Sequence, residues 1–149
     1  MRTKQDSTII LRRKTKNRIR GHDLNKCVVC GKEGDTHHII HKDEGGLEYP
    51  LNRIYLCDEH HRGINGPHRD PEVDMKYKKE LQMTLHELFP DSFYREEDIR
   101  KRAKLSNSLL RTLVKTLKRD KEGFRKVDII DFLMSGYQLV EDDEHDFLI

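Results

Sequence analysis

The longest helical pattern in the chain begins at residue 70. Asp70 can cap a helix N-terminus, and Pro71 fits the first turn, where its missing N–H is not needed. Apolar residues then return at four- and three-residue spacing until Pro90, where a regular helix must end. These apolar positions are Tyr77, Leu81, Leu85 and Leu88. The pattern predicts a helix with one buried face.

Shorter helices are predicted on both sides of this one. Residues 96–104, 106–118 and 126–134 each carry a helical pattern, and a tight turn joins the first two. A further stretch, residues 11–20, is partly helical in character and is followed by Gly21. The second half of the chain is therefore predicted to be mostly helical.

Two short runs predict β-strands in the first half. Residues 36–41 and 52–56 are rich in β-branched or aromatic side chains, and Gly45 with Gly46 marks the loop between them. A short helix over residues 58–62 is predicted directly after the second strand. A β-hairpin, a short helix and a helical second half together predict an α+β fold.

The composition indicates a modest hydrophobic core. Charged residues make up 38% of the 149-residue chain and apolar residues only 34%, with no Trp. Small domains commonly supplement such a core with a bound metal. Residues 1–69 contain 14 Lys or Arg against 9 Asp or Glu, whereas residues 70–149 contain 15 against 18. The basic first half either faces a polyanion or is simply a solvated basic arm.

Charge and element pattern divide the chain into four regions. These are a basic N-terminal arm at 1–20, a core at 21–70, a helical region at 71–140 and an acidic tail at 141–149. The sequence has no signal peptide and no apolar run long enough to span a membrane. We therefore expect a soluble intracellular protein that does not bind membranes.

The cysteine spacing predicts a structural zinc site. Cys27 and Cys30 are separated by two residues, and Cys57 and His60 repeat that gap. Two such pairs supply the four tetrahedral ligands of a structural zinc ion, which here would pin the hairpin to the helix after it. Two alternatives remain open: a free dithiol beside a buried Cys57, and His61 as the fourth ligand instead of His60.

A second set of polar residues is interleaved with the zinc ligands: His37, His38, Asn52 and His61. Hydrolysis of a phosphodiester needs an activated water and neutralisation of the phosphoryl charge. One histidine can deprotonate the water, other neutral imidazoles can hold a divalent cation, and an amide can orient the base. Adjacent strand residues point to opposite faces, so His37 and His38 share one site only if the strand end is twisted or bulged.

The order of these residues resembles the HNH, or ββα-metal, nucleases, and in particular their phage-type members. The resemblance covers about residues 20–70, through Cys-x-x-Cys, Thr-His-His-Ile-Ile and Asn-Arg-Ile-Tyr-Leu-Cys-x-x-His-His. It implies a zinc-stapled HNH core in which His38 is the general base and Asn52 orients the site. It also implies that His37 and His61 hold a catalytic Mg²⁺ or Mn²⁺ distinct from the zinc. Many family members have Asp at the position of His37, whereas colicin-type nucleases also have His.

The resemblance and the charge distribution together predict a DNA-cleaving hydrolase. Double-stranded DNA is the expected partner, in the cytoplasm of a bacterial or phage-infected cell. Basic residues of the first half would hold its phosphates, so binding should weaken with salt. A non-catalytic zinc- and DNA-binding regulator is the alternative from another class, and RNA cleavage by the same chemistry also stays open. The candidate phosphate contacts are Arg18, Arg20, Arg53 and Arg62.

Two features allow more than one interpretation. His68 could be a further metal ligand if the glycine turn before it folds back, but a surface loop histidine is favoured. The two predicted helices at 96–104 and 106–118 could form a helix-turn-helix that presents a basic helix to DNA, followed by a basic loop at residues 121–126. The basic residues of that helix and its end are Arg111, Lys115, Lys118 and Arg119. The leucines of the same stretch equally suit the core of a small helical bundle, and this plain bundle is slightly favoured.

Overall fold

A computed structural model describes residues 25–139 of the chain, in an α+β fold with two small antiparallel sheets and five α-helices in that range. This confirms the α+β class. The basic arm at 1–20, the helix predicted at 11–20 and the tail at 141–149 lie outside the described residues. The strands are β1 (Asp35–His38), β2 (Arg53–Leu56), β3 (Phe93–Tyr94) and β4 (Phe124–Arg125). The helices are α1 (Asp58–Arg62), α2 (Pro71–Leu88), α3 (Glu96–Ala103), α4 (Asn107–Thr116) and α5 (Lys126–Leu133).

The first sheet is the predicted hairpin, in which β1 and β2 pair with His37 opposite Ile54 and His38 opposite Arg53. The first strand is shorter than residues 36–41 because the chain turns away from β2 after His38. One more backbone hydrogen bond follows, in which the Asn52 carbonyl oxygen accepts from the Ile39 N–H at 2.8 Å. At Ile40 the Asn52 side chain takes the place of a backbone partner. Two short 3₁₀ turns lie between the strands, at Lys42–Glu44 and Pro50–Asn52.

The long helix begins as the sequence predicts. The Asp70 carboxylate accepts a hydrogen bond from the Glu72 N–H at 3.0 Å, and Pro71 occupies the first turn. Leu81 and Leu85 are fully buried along its inner face. None of the helices between residues 25 and 139 combines the length and apolarity that a membrane span requires.

The second sheet was not predicted from the sequence. In the structure Phe93 pairs with Arg125 and Tyr94 with Phe124. A two-residue strand has no measurable periodicity, so the sequence carries no signal for it. The close approach depends on Gly123, which has φ +120°, and a Cβ there would lie 2.4 Å from the Tyr94 carbonyl oxygen.

Residues of the core region and the helical region share a continuous buried cluster. The Tyr49 hydroxyl, which is buried, donates to the Leu133 carbonyl oxygen at 2.7 Å. The Ser135 hydroxyl donates to the Gly45 carbonyl oxygen at 2.8 Å. These bonds tie the end of α5 to the loop that follows β1, and thereby hold that loop in place.

Candidate metal centre and histidine cluster

Three cysteines and a histidine converge where the hairpin meets α1. Cys27 and Cys30 lie on a turn that a bridge between Lys26 and Glu33 closes. Cys57 precedes the first residue of α1, and His60 lies on that helix. The potential ligand atoms of the four residues all lie within 4.8 Å of one another. The predicted Cys3His set is thus brought together.

The distances within this group match the edges of a metal tetrahedron. His60 Nδ1 lies 3.6 Å from Cys27 Sγ and 3.2 Å from Cys57 Sγ, and Cys30 Sγ lies 3.7 Å from Cys57 Sγ. Tetrahedral zinc, with bonds of about 2.3 Å to sulfur and 2.0–2.1 Å to nitrogen, places two sulfurs about 3.8 Å apart and sulfur about 3.6 Å from nitrogen. The four atoms can therefore hold a metal ion such as zinc.

The ionisation of the thiols also suits a cation. Burial opposes a Cys27 thiolate, but hydrogen bonds from the backbone N–H groups of Cys57, Cys30 and Val29 lower its pKa to about 6. A hydrogen bond from the Lys32 backbone favours the Cys30 thiolate, yet burial and the adjacent sulfurs raise the Cys30 pKa. Ionising all three adjacent thiols costs free energy because the thiolates repel one another. A bound metal cation between them would offset that repulsion.

A second cluster lies beside the first and consists of four histidines, His37, His41, His61 and His68, which we call the histidine cluster. The His37 ring centroid lies 4.9 Å from that of His61 and 5.1 Å from that of His68. His61 Nε2 and His68 Nε2 are 2.9 Å apart. His60 and His61, adjacent on α1, therefore belong to different centres, which favours His60 over His61 as the partner of the sulfurs.

His37 has the most unusual environment in the histidine cluster. It is 3% exposed, and its buried Nε2 has no hydrogen-bond partner among residues 25–139. Burial, followed by the nearby His61 and His41, lowers the His37 pKa to about 3. The ring is therefore neutral at pH 7, as a metal ligand must be. Ligand atoms of His37, His61 and His68 lie within 4.8 Å of one another and could hold a second ion.

Acidic residues and a buried lysine support the cluster from the side of α2. His41 Nε2 lies 3.0 Å from an Asp74 oxygen, and the Lys78 ammonium donates to Asp74 at 2.9 Å and to Glu44 at 3.0 Å. Burial lowers the Lys78 pKa, but the two carboxylates outweigh it and the net shift is upward. Ligand atoms of His37, His41 and Asp74 also lie within 4.8 Å of one another.

His38, the expected general base, lines the same cleft but makes a different contact. Its Nε2 lies 2.7 Å from a Glu48 carboxylate oxygen. Burial opposes ionisation of Glu48, but hydrogen bonding to His38 and then Lys42 lowers the Glu48 pKa. The cleft has a volume of about 430 Å³, and both histidines of β1 line it together with His61, Arg62 and His68.

Asn52 is fully buried and contacts backbone. Its Oδ1 accepts from the Ile40 N–H at 2.8 Å, and its Nδ2 donates to the carbonyl oxygens of Leu47 at 2.9 Å and Ile40 at 3.2 Å. These bonds fix the chain immediately after His38. The predicted orienting role of Asn52 would thus act through the backbone that carries His38.

The predicted phosphate contacts differ in their placement. Arg62 lines the cleft, and its guanidinium lies 3.0 Å from His61 Nδ1 and 3.6 Å from the Asp35 carboxylate. Arg53 is exposed and lies opposite His38 in the hairpin. Arg18 and Arg20 lie outside the described residues.

The sequence left the role of one contributor to the site open and did not identify two others. His68 is exposed, as expected of a loop histidine, yet its ring also contacts His61 and His37. The loop can fold back because residue 66 is glycine: a Cβ on Gly66 would lie 2.4 Å from the His61 carbonyl oxygen. The only signal was that glycine turn. Glu48 and Asp74 gave no signal at all.

Comparison with protein-family models, curated proteins and solved structures found no match to this chain. The site's own geometry is therefore what supports a function. That geometry combines a Cys3His group at the base of the hairpin with histidine side chains around a cleft that Arg62 also lines. Each of the two groups could hold a metal ion.

Proposed function

We propose that the chain is a metal-dependent endonuclease of the HNH type that hydrolyses phosphodiester bonds of DNA. The observation that carries the proposal is the buried Nε2 of His37, which has no partner in the described part of the chain and lies beside His61 and His68 in a cleft. An orphaned buried nitrogen costs stability unless a ligand satisfies it. A divalent ion held by these imidazoles would be that ligand, with zinc in the Cys3His group as a structural staple.

The donor set bears on the identity of the catalytic ion. Imidazole nitrogens suit first-row transition ions, whereas Mg²⁺ prefers oxygen ligands. Three imidazoles with Asp74 nearby therefore favour Mn²⁺ over Mg²⁺, and they also admit Zn²⁺ or Ni²⁺. When bound, the ion would stabilise charge on the phosphoryl and leaving oxygens.

His38 is the proposed general base. A carboxylate can only accept a hydrogen bond, so Glu48 places the proton of the neutral ring on Nε2 and leaves the lone pair on Nδ1. Nδ1 can then take the proton of a water that attacks phosphorus as the bond to the leaving alkoxide breaks. Glu48 also stabilises the imidazolium that results, as carboxylates commonly do for histidine bases.

Arg62 and Asn52 have supporting roles in this proposal. The Arg62 guanidinium at the cleft edge can contact a phosphate oxygen of the substrate. Asn52 is a positioning residue, because it contacts the backbone beyond His38. With His37 kept neutral by burial, the metal site and the base remain separate functions of adjacent residues on β1.

The proposal is tested with zinc-loaded protein and supercoiled plasmid. Nicking or linearisation should appear with added Mn²⁺, should be weaker with Mg²⁺, and should be absent when no second ion is added. His38→Ala protein serves as the control for a contaminating nuclease. No cleavage with Mn²⁺, Mg²⁺, Zn²⁺ or Ni²⁺, by a folded protein that still binds DNA, would instead favour the regulator.

A further inference from the structure

The helix α4 has two chemically distinct faces. Its inner face packs on the core through Leu113, which is fully buried, and through the partly buried Leu109, Leu110 and Val114. Its outer face carries exposed side chains at helical spacing, and the helix contains no acidic residue. The exposed residues are Asn107, Ser108, Arg111, Thr112, Lys115 and Thr116.

The cations of this outer face are not used within the fold. Within residues 25–139, Arg111, Lys115 and the following Lys118 make no ion pair and no side-chain hydrogen bond. Three arginines of the helical region are instead paired: Arg100 with Glu97, Arg119 with Glu96 and Arg125 with Asp128. The carboxylates of the region therefore neutralise cations elsewhere and leave the outer face of α4 positive.

Contacts at both ends fix the position of α4, which is the second helix of the α3–turn–α4 unit. Lys104, at φ +56°, ends α3, and the buried Leu105 follows it in the turn. Ser106 then caps α4 by accepting a hydrogen bond from the Leu109 N–H at 3.1 Å. After α4, the Arg119 guanidinium lies 5.2 Å from the Phe124 ring centroid, which fastens the helix end to the second sheet.

We propose that the outer face of α4, together with Lys118, binds double-stranded DNA in the major groove. An α-helix with its side chains is about 10–12 Å across, which fits the roughly 12 Å wide major groove of B-DNA, and the ten residues of α4 extend about 15 Å along it. Arg111 and Lys115 would contact phosphates, while Asn107 and Thr112 offer hydrogen bonds to base edges. The major groove of A-form RNA is too narrow for a helix, so this surface fits DNA and not duplex RNA.

The surface is distinct from the histidine cleft, so the test does not depend on cleavage. Binding of zinc-loaded protein to a fluorescent 25-base-pair random duplex is measured by anisotropy, with no other divalent ion, across a range of salt concentrations. The variant is Arg111→Gln with Lys115→Gln. The matched control is Lys76→Gln with Lys79→Gln, which removes two exposed cations from α2.

The α4 double variant should bind at least tenfold more weakly at 0.1 M salt. The negative slope of log affinity against log salt should become less steep by about 2. The α2 control should change affinity less than twofold. If both double variants bound equally weakly, the effect would come from net charge and not from the α4 surface, which would contradict the proposal. Unchanged binding by the α4 double variant would also overturn it. Circular dichroism and Tm confirm that each variant is folded.

Two further arms separate groove recognition from charge alone. Asn107→Ala with Thr112→Ala should weaken binding while leaving the salt slope unchanged. The parent protein should prefer duplex DNA to duplex RNA of the same sequence, and equal or tighter RNA binding would contradict the major-groove placement. Loss of binding in the α4 double would support this surface even if no cleavage were found, so the two proposals can fail separately.

Discussion

The side chain of Asn52 holds both backbone groups of Ile40. Its Oδ1 accepts from the Ile40 N–H at 2.8 Å, and its Nδ2 donates to the Ile40 carbonyl oxygen at 3.2 Å. The amide therefore acts as an additional strand residue, satisfying the chain where the β1–β2 pairing ends. Because Ile40 lies two residues beyond His38, this contact sets the direction in which the chain leaves β1.

Asn52→Asp should be strongly destabilising although the two side chains are nearly the same size. An oxygen replaces Nδ2 and faces the carbonyl oxygens of Ile40 and Leu47, so two buried acceptors lose their donor. We expect the free energy of unfolding to fall by about 2–4 kcal/mol, measured by urea denaturation. The exposed Asn65→Asp is the matched control and should change it by less than about 0.5 kcal/mol. Equal stability of the two variants would contradict the structural role of Asn52.

Loss of a cysteine ligand should remove the structural ion. We expect about one tightly bound zinc per chain in the parent protein and essentially none in Cys57→Ser, which should also lose the fold of the hairpin. Val29→Ser, in the same turn but exposed, should keep both the metal and the fold. Elemental analysis and circular dichroism measure these properties. A well-folded parent without zinc or another bound metal would exclude the Cys3His site.

The His38→Ala variant should lose cleavage activity but stay folded. We expect cleavage to fall about a hundredfold or more, the usual scale for a general base, while zinc content and Tm are retained. Glu48→Gln should cause a smaller loss, because it keeps the size of the partner 2.7 Å from His38 Nε2 but removes its charge. Single-turnover cleavage rates provide the measurement. Unchanged cleavage by His38→Ala would show that the base lies elsewhere.

The histidine cluster should bind a second ion with His68 as one ligand. Zinc-loaded parent protein titrated with Mn²⁺ or Ni²⁺ in a calorimeter should show one further site. His37→Ala and His61→Ala should lose it, with cleavage partly restored at higher ion concentration. His68→Ala should weaken the affinity about tenfold or more, since its Nε2 lies 2.9 Å from that of His61. If His68→Ala binds the ion as the parent does, the residue is only a neighbour of the site.

The parts of the fold that the sequence predicted are those encoded by neighbouring residues. The helix α1 was predicted at residues 58–62 and is observed there, and α3 and α5 end within one residue of their predicted ends. The two-residue gaps likewise predicted which cysteines would meet. In each case the residues that determine the structure lie within a few positions of one another, so their spacing along the chain determines which way their side chains point.

The features that the sequence did not predict all depend on contacts between residues that are distant along the chain. Phe93 and Phe124 belong to a sheet whose strands are two residues long and lie about thirty residues apart. Asp74 reaches His41 from α2, and Glu48 reaches His38 from the loop after the strand. Surface carboxylates are too common for either pairing to be recognisable without the fold. The sequence therefore predicted the histidines of the site but not the groups that orient them.

The hydrogen bond from Tyr49 to Leu133 has a consequence for how the chain can be divided. Because residues 84 positions apart share this buried contact, a cut between the core and helical regions would separate the Tyr49 hydroxyl from the Leu133 carbonyl oxygen and expose the buried surface around them. Amide hydrogen exchange should therefore protect Ile39 and Ile130 with similar opening free energies. The two regions would then unfold as one cooperative unit. A chimaera that takes only the helical region from another protein would need a backbone carbonyl placed to accept from the Tyr49 hydroxyl.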